Sequence, residues 1–231
     1  MERIATNIPG LDELLEGGIP KGFQILVAGE AGTGKTIFSC QFAYNQAKKG
    51  LKTYYLTIEE SPTSIVTNMQ RFSWGKEFEM FVKENKIIIE RIIPLSIEET
   101  IKNIINAYNK YRFNFFILDT LTAAAMGWKE LQDPTKLRRN MFTMVDTLKQ
   151  YGVTSFLLSE IEEGSGKIFK YGFEGFIVDG VIMLRRFEYA KKLIEGIILK
   201  MRATNHSKEV FNVEIDYNGI SIKRKEKGII I

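Results

Sequence analysis

The chain has 231 residues, 45% of them hydrophobic and 26% charged, with 32 basic and 28 acidic side chains and a net charge of +4. That length suits one α/β domain with a full core of its own, and the charge is too mild to mark a nucleic-acid binder, although a local basic surface stays open. The lone cysteine, Cys40, cannot form an internal disulfide, and with the lone histidine, His206, it leaves almost no material for a zinc site, so any metal is expected to be a hard cation on oxygen ligands.

The opening MERIATNIPG lacks an apolar signal core, and no window reaches the length of a membrane span, which predicts a soluble, cytoplasmic protein. Phe23 to Ala28 is an apolar run of the length of a buried parallel strand. It leads into Gly29-Glu30-Ala31-Gly32-Thr33-Gly34-Lys35-Thr36, which satisfies the phosphate-loop pattern G-x-x-x-x-G-K-[ST]. Lys35 to Lys49 is helix-compatible and closed by Gly50. Glycines let backbone N–H groups turn inward around phosphates, Lys35 adds a mobile positive charge near the β and γ oxygens, and Thr36 offers a hydroxyl to Mg²⁺. Gly29 to Ile37 is therefore the expected binding segment for a nucleoside triphosphate, with a helix dipole facing the anion.

Lys52 to Ile58 reads as a second strand ending at Glu59-Glu60, and Ser61-Pro62 as a helix start. Lys86 to Ile93 reads as another strand, and Ser96 with Glu99 forms a capping box for a helix to Tyr111. Phe113 to Leu118 is a third apolar strand carrying Asp119 at its end, the Walker B arrangement in which a carboxylate orients the shell of a metal. A cap on the following turn is the structural alternative for Asp119-Thr120. A helix from about Pro134 to Tyr151 and a strand from Thr154 to Leu158 continue a β-α-β-α succession. Such a succession implies a parallel sheet between helices, with ligands at the carboxyl ends of the strands.

Glu59 and Glu60 then point into the same crevice, where one of them can polarise an attacking water. Glu59 is the first candidate, because Glu60 can equally be an acid facing the dipole of the next helix. From Phe176 onward, short strands at Ile177 to Arg185, Leu193 to Arg202, Val210 to Ile215 and Ile220 to Lys223 predict an antiparallel meander. The charged tail, Lys223 to Lys227, is expected to fray.

The segment from Ile8-Pro9-Gly10-Leu11-Asp12 to Gly22 resembles the entry segment of KaiC-type domains in the RecA/RadA ATPase superfamily. The phosphate loop, Glu59-Glu60-Ser61 and Asp119-Thr120 follow in that family's order. Ser73-Trp74-Gly75, Ser159-Glu160, Lys170-Tyr171-Gly172 with Asp179, and Lys200-Met201-Arg202-Ala203-Thr204-Asn205-His206 extend the resemblance over nearly the whole chain. It implies a RecA-like P-loop NTPase, an α/β three-layer core with a mainly parallel sheet and a C-terminal antiparallel extension, in one domain over 1–231 that hydrolyses ATP with Mg²⁺. It also implies that Lys200 and Arg202 reach the nucleotide of a neighbouring subunit, with Thr204 and His206 beside that nucleotide and Ser73 and Trp74 on its adenine side. Without the resemblance, Lys200 and Arg202 read as the solvated face of a strand, His206 as a turn residue and Trp74 as core.

The implied partner is a second copy of the chain, in a hexameric ring or filament, and the type fitted best is a single-domain archaeal RadA paralogue. A recombination accessory binding single-stranded DNA or a recombinase is one expected role. Two segments carry it as loops with interleaved basic and aromatic residues: Ala123 to Asn140, with Trp128, Lys129, Lys136, Arg138 and Arg139, and Glu162 to Phe176, with Lys167, Phe169, Lys170 and Tyr171. The alternative is an autokinase or a regulatory nucleotide switch without DNA, since the same site geometry permits a protein hydroxyl as phosphoryl acceptor.

Overall fold

The computed structural model describes residues 1–187 and 190–225. At its start a ribbon of β1 (Arg3–Ile4) and β2 (Ile19–Pro20) brackets a short helix, α1 (Leu11–Leu14). The carboxylate of Asp12 ties this segment together by accepting from Thr6 N at 2.8 Å, Thr6 Oγ1 at 2.7 Å and Asn7 N at 2.9 Å. Gly10 precedes α1 with φ +80°, and a Cβ there would stand 2.0 Å from the Ile222 carbonyl oxygen, so only glycine fits against the far end of the chain.

Strand β3 (Gln24–Gly29) is buried at every position, and α2 (Lys35–Ala47) follows it. Ile25 and Val27 enter one hydrophobic core while Leu26 and Ala28 enter the other, the period-two alternation of a strand covered on both faces. The chain continues through β4 (Thr53–Thr57), α3 (Pro62–Met69), α4 (Gly75–Lys83), β5 (Ile87–Arg91), α5 (Ile97–Tyr111) and β6 (Phe115–Asp119). After α6 (Leu121–Gly127) and a 3₁₀ turn at Lys129–Gln132 come α7 (Pro134–Gln150), β7 (Thr154–Glu160) and α8 (Glu174–Ile177). The last strands are β8 (Gly180–Phe187), β9 (Ala190–Met201), β10 (Phe211–Asp216) and β11 (Gly219–Arg224).

One nine-stranded sheet in the order β11-β10-β9-β8-β3-β7-β6-β4-β5 joins all strands from β3 onward. From β8 to β5 every pairing is parallel, and β9, β10 and β11 continue the sheet with antiparallel pairs. This is the expected three-layer α/β architecture, with α2, α3 and α4 contributing to one core and α5, α6 and α7 to the other. No helix among the described residues is long and apolar enough to cross a membrane.

Several local signals act as read. Ser61 and Ser96 accept hydrogen bonds from Ser64 N and Glu99 N, each at 3.1 Å, at the starts of α3 and α5. Glu99 reaches back to Leu95 N at 2.8 Å, one residue beyond the position a capping box would use.

Other expectations need correction. Ala123 to Asn140 is not a loop: Thr120 accepts from Ala123 N at 3.0 Å and starts α6 through an alanine-rich run, and Asp133 caps α7 through Thr135 N and Lys136 N. β8 begins at Gly180 rather than Ile177 because Glu174, fully buried, accepts from Tyr171 N and Phe173 N and winds the preceding residues into α8. Lys223 and Arg224 do not fray but pair with Asn212 and Phe211 in β11, whereas Glu226 and Lys227 lie outside the described residues.

Phe42 is 1% exposed and meets Phe115 and Phe156 edge-on at centroid distances of 5.1 and 4.7 Å. Phe42→Ala removes this joint between α2 and the sheet and is expected to lower unfolding stability by about 3–5 kcal/mol, measured by urea titration.

Candidate functional site

The carboxyl ends of β3, β4, β6 and β7 converge on a cavity of about 350 Å³. Its wall includes Gly32, Gly34, Lys35, Thr36 and Ile37 from the phosphate loop and α2, together with Glu59, Glu60, Asp119 and Glu160 from three other strand ends. Eight of these nine residues were expected at the site, and β-sheet topology alone brings them together.

The loop turns on its glycines. Gly34 adopts φ +88° at the N-cap of α2, a left-handed conformation that exposes the first N–H groups of the helix to the cavity. Thr33 is buried and donates from Oγ1 to Glu30 O at 2.8 Å, closing the turn from within. Lys35 Nζ donates to the carbonyls of Gly29 and Glu30, each at 2.9 Å, and stands 3.9 Å from Glu160 Oε1. Burial lowers the pKa of Lys35, against the opposing pull of Glu160 and Asp119.

Asp119 is 8% exposed at the end of β6. Its Oδ2 accepts from Thr36 Oγ1 at 2.9 Å and from the Tyr55 hydroxyl. Burial raises the Asp119 pKa, and these two hydrogen bonds oppose the rise. Tyr55 itself is driven far above its usual range, first by burial and then by the carboxylate beside it, so it stays a donor. Thr36 spends its one proton on Asp119 and keeps its oxygen lone pairs, which suits a hard cation held between a hydroxyl and a carboxylate. Among the described residues no group of three or more His, Cys, Asp or Glu side chains could hold a metal unaided, so phosphate and water oxygens must complete any such shell.

The two glutamates differ. Glu60 Oε2 accepts from Ser64 Oγ at 2.8 Å and Asn68 Nδ2 at 3.0 Å, which binds its carboxylate to α3. Glu59 is exposed at the cavity wall, and among the described residues no hydrogen bond ties its carboxylate to α3.

A KaiC ATPase family model matches residues 4–227. The chain belongs to the KaiC ATPase family. It is 34% identical over 238 residues to the circadian clock oscillator protein KaiC of Rippkaea orientalis, a match covering 96% of this chain and 44% of that protein. It is 32% identical over 245 residues to the circadian clock protein KaiC3 of Synechocystis, covering 100% of this chain and 46% of that one. The chain thus spans less than half the length of these KaiC relatives. Among solved structures, a KaiC-like protein from the hyperthermophilic archaeon Pyrococcus horikoshii superposes with a TM-score of 0.85 at 33% identity, covering 96% of this chain and 98% of that one.

The other residues expected near a nucleotide stand outside the wall of this cavity. Trp74 is 6% exposed, stacks against Phe72 and Tyr44 at 5.0 and 5.2 Å, and donates from Nε1 to Asn218 O at 3.1 Å. It is a core residue whose rings and one donor are already engaged within the chain. Ser73 is exposed beside it, with its N–H bound to Tyr217 O at 2.8 Å. Trp128, 2% exposed, donates to Thr100 Oγ1 at 3.1 Å and so leaves the basic segment around it without the exposed aromatic that base stacking needs. In the second such segment Lys170 pairs with Glu162, and Tyr171 is half-buried with its hydroxyl on Thr122 O.

Lys200 and Arg202 stand at the other end of the sheet. Arg202 N donates to Asp179 O at 3.0 Å and Asp179 N to Gln24 O at 2.9 Å, which places Arg202 at the start of β3, whereas the phosphate loop leaves its end. At roughly 3.3 Å per residue, β3 separates the two by about 16 Å. Lys200 Nζ is spent on the carbonyls of Gly175 and Val178 at 2.9 and 2.7 Å, and burial followed by the nearby Arg202 lowers its pKa. Arg202 is more available: its side chain is 54% exposed, with one contact of 3.2 Å to Asp179 Oδ1. Thr204 Oγ1 accepts from Arg3 at 3.1 Å, and His206 Nδ1 lies 2.9 Å from Ser207 O, so both are tied to their own chain.

Four contributors escaped the sequence reading. Tyr55 supports Asp119, and the Arg71 and Ile215 side chains close the cavity wall. A neighbouring groove of about 380 Å³ shares Arg71 and Ile215 and adds Phe72, Asp216 and Tyr217. Arg186 lies across the loop, with its N–H on Glu30 Oε2 at 3.1 Å and its guanidinium on Gly32 O at 3.2 Å. Two adjacent tyrosines in a strand buried at every position were the one available signal, for Tyr55; the others depend on tertiary approach.

The raised pKa of Asp119 has a thermodynamic sign. The folded state holds this proton more tightly than the unfolded chain does, so the carboxyl's contribution to stability is lost as pH rises through the folded pKa. Asp119→Asn is therefore expected to stabilise the nucleotide-free protein at about pH 8 by on the order of 1 kcal/mol. The gain should shrink toward the unfolded carboxylate range near about pH 4, and thermal melts of both proteins across that interval measure it.

Proposed function

We propose that this chain binds Mg²⁺-ATP at the phosphate loop and hydrolyses it within an assembly of its own copies, each completing the site of the next. The observation that carries the reading is the placement of Arg202: a half-exposed guanidinium one strand length from its own loop has no access to the phosphates of its own copy. The 33% identity to a KaiC-like protein of P. horikoshii, matched over 98% of its length, supports a KaiC-like type, and the archaeal RadA-paralogue subtype is part of this proposal alone.

In this reading the loop N–H groups of Gly32 to Thr36 cradle the β- and γ-phosphates. Lys35 exchanges the two carbonyls of Gly29 and Glu30 for phosphate oxygens. Thr36 and Asp119 would hold the cation, which would offset the negative charge that develops on the phosphate oxygens. Glu59, exposed and facing the cavity, orients the attacking water, while Glu60 serves the start of α3. The groove between Arg71 and Tyr217 receives the nucleoside. Arg202 supplies the charge from the neighbouring copy, and Lys200 braces α8 against β9 so that Arg202 is presented.

Self-association is part of this proposal, and single-stranded DNA is a weaker part of it because Trp128 is withdrawn into the core. A protein hydroxyl in place of water gives the autokinase alternative, and radiolabelled ATP followed by electrophoresis separates the two by where the label ends.

The trans assignment is tested by mixing. Arg202→Ala is expected to lose about 10³ in kcat, the lower end for an arginine finger, as is Glu59→Gln on loss of its water-orienting group. Mixed oligomers of the two should recover a fraction of the wild-type rate, because some interfaces then pair an intact Glu59 with an intact Arg202. Absence of recovery in verified mixed oligomers removes the trans role.

A further inference from the structure

Tyr55 is 0% exposed, yet its polar end is not directed at solvent or at backbone but at the carboxylate that ends the neighbouring strand. β4 and β6 are parallel and adjacent, with Tyr55 level with Ile117 and Thr57 level with Asp119. The phenol thus rises from two residues below to meet Asp119 Oδ2, where Thr36 Oγ1 also arrives at 2.9 Å. A cycle closes behind them: the single proton of Ser39 Oγ is shared between Thr36 O at 3.0 Å and the Tyr55 oxygen at 3.3 Å. Two elements, α2 and β4, therefore grip the same oxygen of one carboxylate.

An aspartate carboxyl turns over a broad, roughly two-fold torsion, so one hydroxyl donor leaves its plane undefined. A second donor on the same oxygen defines it. Oδ1 accepts from neither hydroxyl and keeps its lone pairs for the shell of a cation.

We propose that Tyr55 is a positioning residue of the Mg²⁺ site, assigning Oδ2 of Asp119 to the protein and Oδ1 to the metal's water shell. This deepens the Mg²⁺-ATP reading above and rests on it. Hydrogen bonds to the ligands of a metal typically govern affinity by about 10- to 100-fold. Loss of the phenol leaves the ring's volume and the loop glycines intact, so nucleotide affinity without metal should not move.

The experiment titrates wild-type protein and Tyr55→Phe with mant-ATP, a fluorescent ATP analogue, first in EDTA and then at rising Mg²⁺. The expected result is a rise of about tenfold in the Mg²⁺ concentration that half-maximally tightens mant-ATP binding, with metal-free affinity unchanged. A folded Tyr55→Phe protein with the wild-type Mg²⁺ midpoint overturns the assignment while leaving the Mg²⁺-ATP reading standing, and so does a loss of affinity equal in EDTA and in Mg²⁺. Wild-type protein whose mant-ATP binding ignores Mg²⁺ overturns both. Should Tyr55→Phe fail to fold, Ser39→Ala removes the hydroxyl behind the phenol and is expected to raise the same midpoint roughly threefold, the worth of one weak hydrogen bond. An unchanged midpoint in that variant overturns the proposal.

Discussion

A carboxylate held out of water at the end of a buried strand has to be met by donors, and at Asp119 the donors come from two other elements. Thr36 stands in the first turn of α2 and Tyr55 in the middle of β4, so the approach of three separate segments is set by one oxygen atom. The strand order follows the same demand: β4 lies directly beside β6, and β3 with its loop lies one strand further on, across β7. Lys35 is buried in the same place, with its pKa lowered, and satisfies itself on loop carbonyls. The site therefore concentrates an acid and a base that both resist charge, and a ligand carrying phosphate with a divalent cation would relieve the two together.

Opposite that edge, Asp179 plays a comparable part for a different purpose. It is 4% exposed, accepts from Gln24 N at 3.1 Å, and shares Oδ1 between Lys149 at 2.8 Å and Arg202 at 3.2 Å. Lys149 has the shorter bond and satisfies most of the buried charge, which leaves the Arg202 guanidinium half in solvent. A phosphate site at one end of a sheet and a half-exposed guanidinium at the other are different surfaces, so the proposed contact between copies joins unlike patches. A head-to-tail contact joins such patches directly, and head-to-tail contacts generate closed rings or open filaments. The proposed dependence of hydrolysis on assembly thus has a geometric root in the length of β3.

Legibility in the sequence follows the range of the interaction. Apolar runs such as Phe23 to Ala28, the serine caps of α3 and α5 and the phosphate loop are set by neighbours within a few residues, and each was readable to within one or two positions. The converging residues Lys35, Thr36, Glu59 and Asp119 were readable too, because parallel strands bring their carboxyl ends to one edge. What failed was tertiary. Trp74 read as core from its own residues, but nothing local showed that the tip of the β10–β11 hairpin takes up its N–H through Asn218. Trp128 sat among basic residues, yet Thr100 on α5 holds it inside. Glu174 is buried against two backbone N–H groups, which turned a presumed strand start into a helix, and no local pattern encodes that.

The antiparallel extension is more than an edge to the sheet. Gln41, in the middle of α2, presents its side-chain amide to β11 as a strand would: Nε2 donates to Ile220 O at 3.0 Å and Oε1 accepts from Ile220 N at 2.6 Å. Thr36 occupies the first turn of the same helix, five residues earlier, a rise of about 7.5 Å. One helix therefore fixes the distance between the phosphate end of the cavity and the hairpin whose residues Ile215 and Tyr217 wall the adjoining groove. Ser73 N on Tyr217 O and Trp74 Nε1 on Asn218 O fasten the far side of that hairpin to the start of α4. The buried tryptophan thus shapes the groove from behind, since it holds the hairpin in place while Arg71 and Tyr217 supply the exposed faces. A change that loosens Trp74 would act on the groove before the phosphate loop, because α2 holds the hairpin by Ile220 and at its N-cap by Ile215, whereas the tip at Tyr217 and Asn218 is held by Ser73 and Trp74.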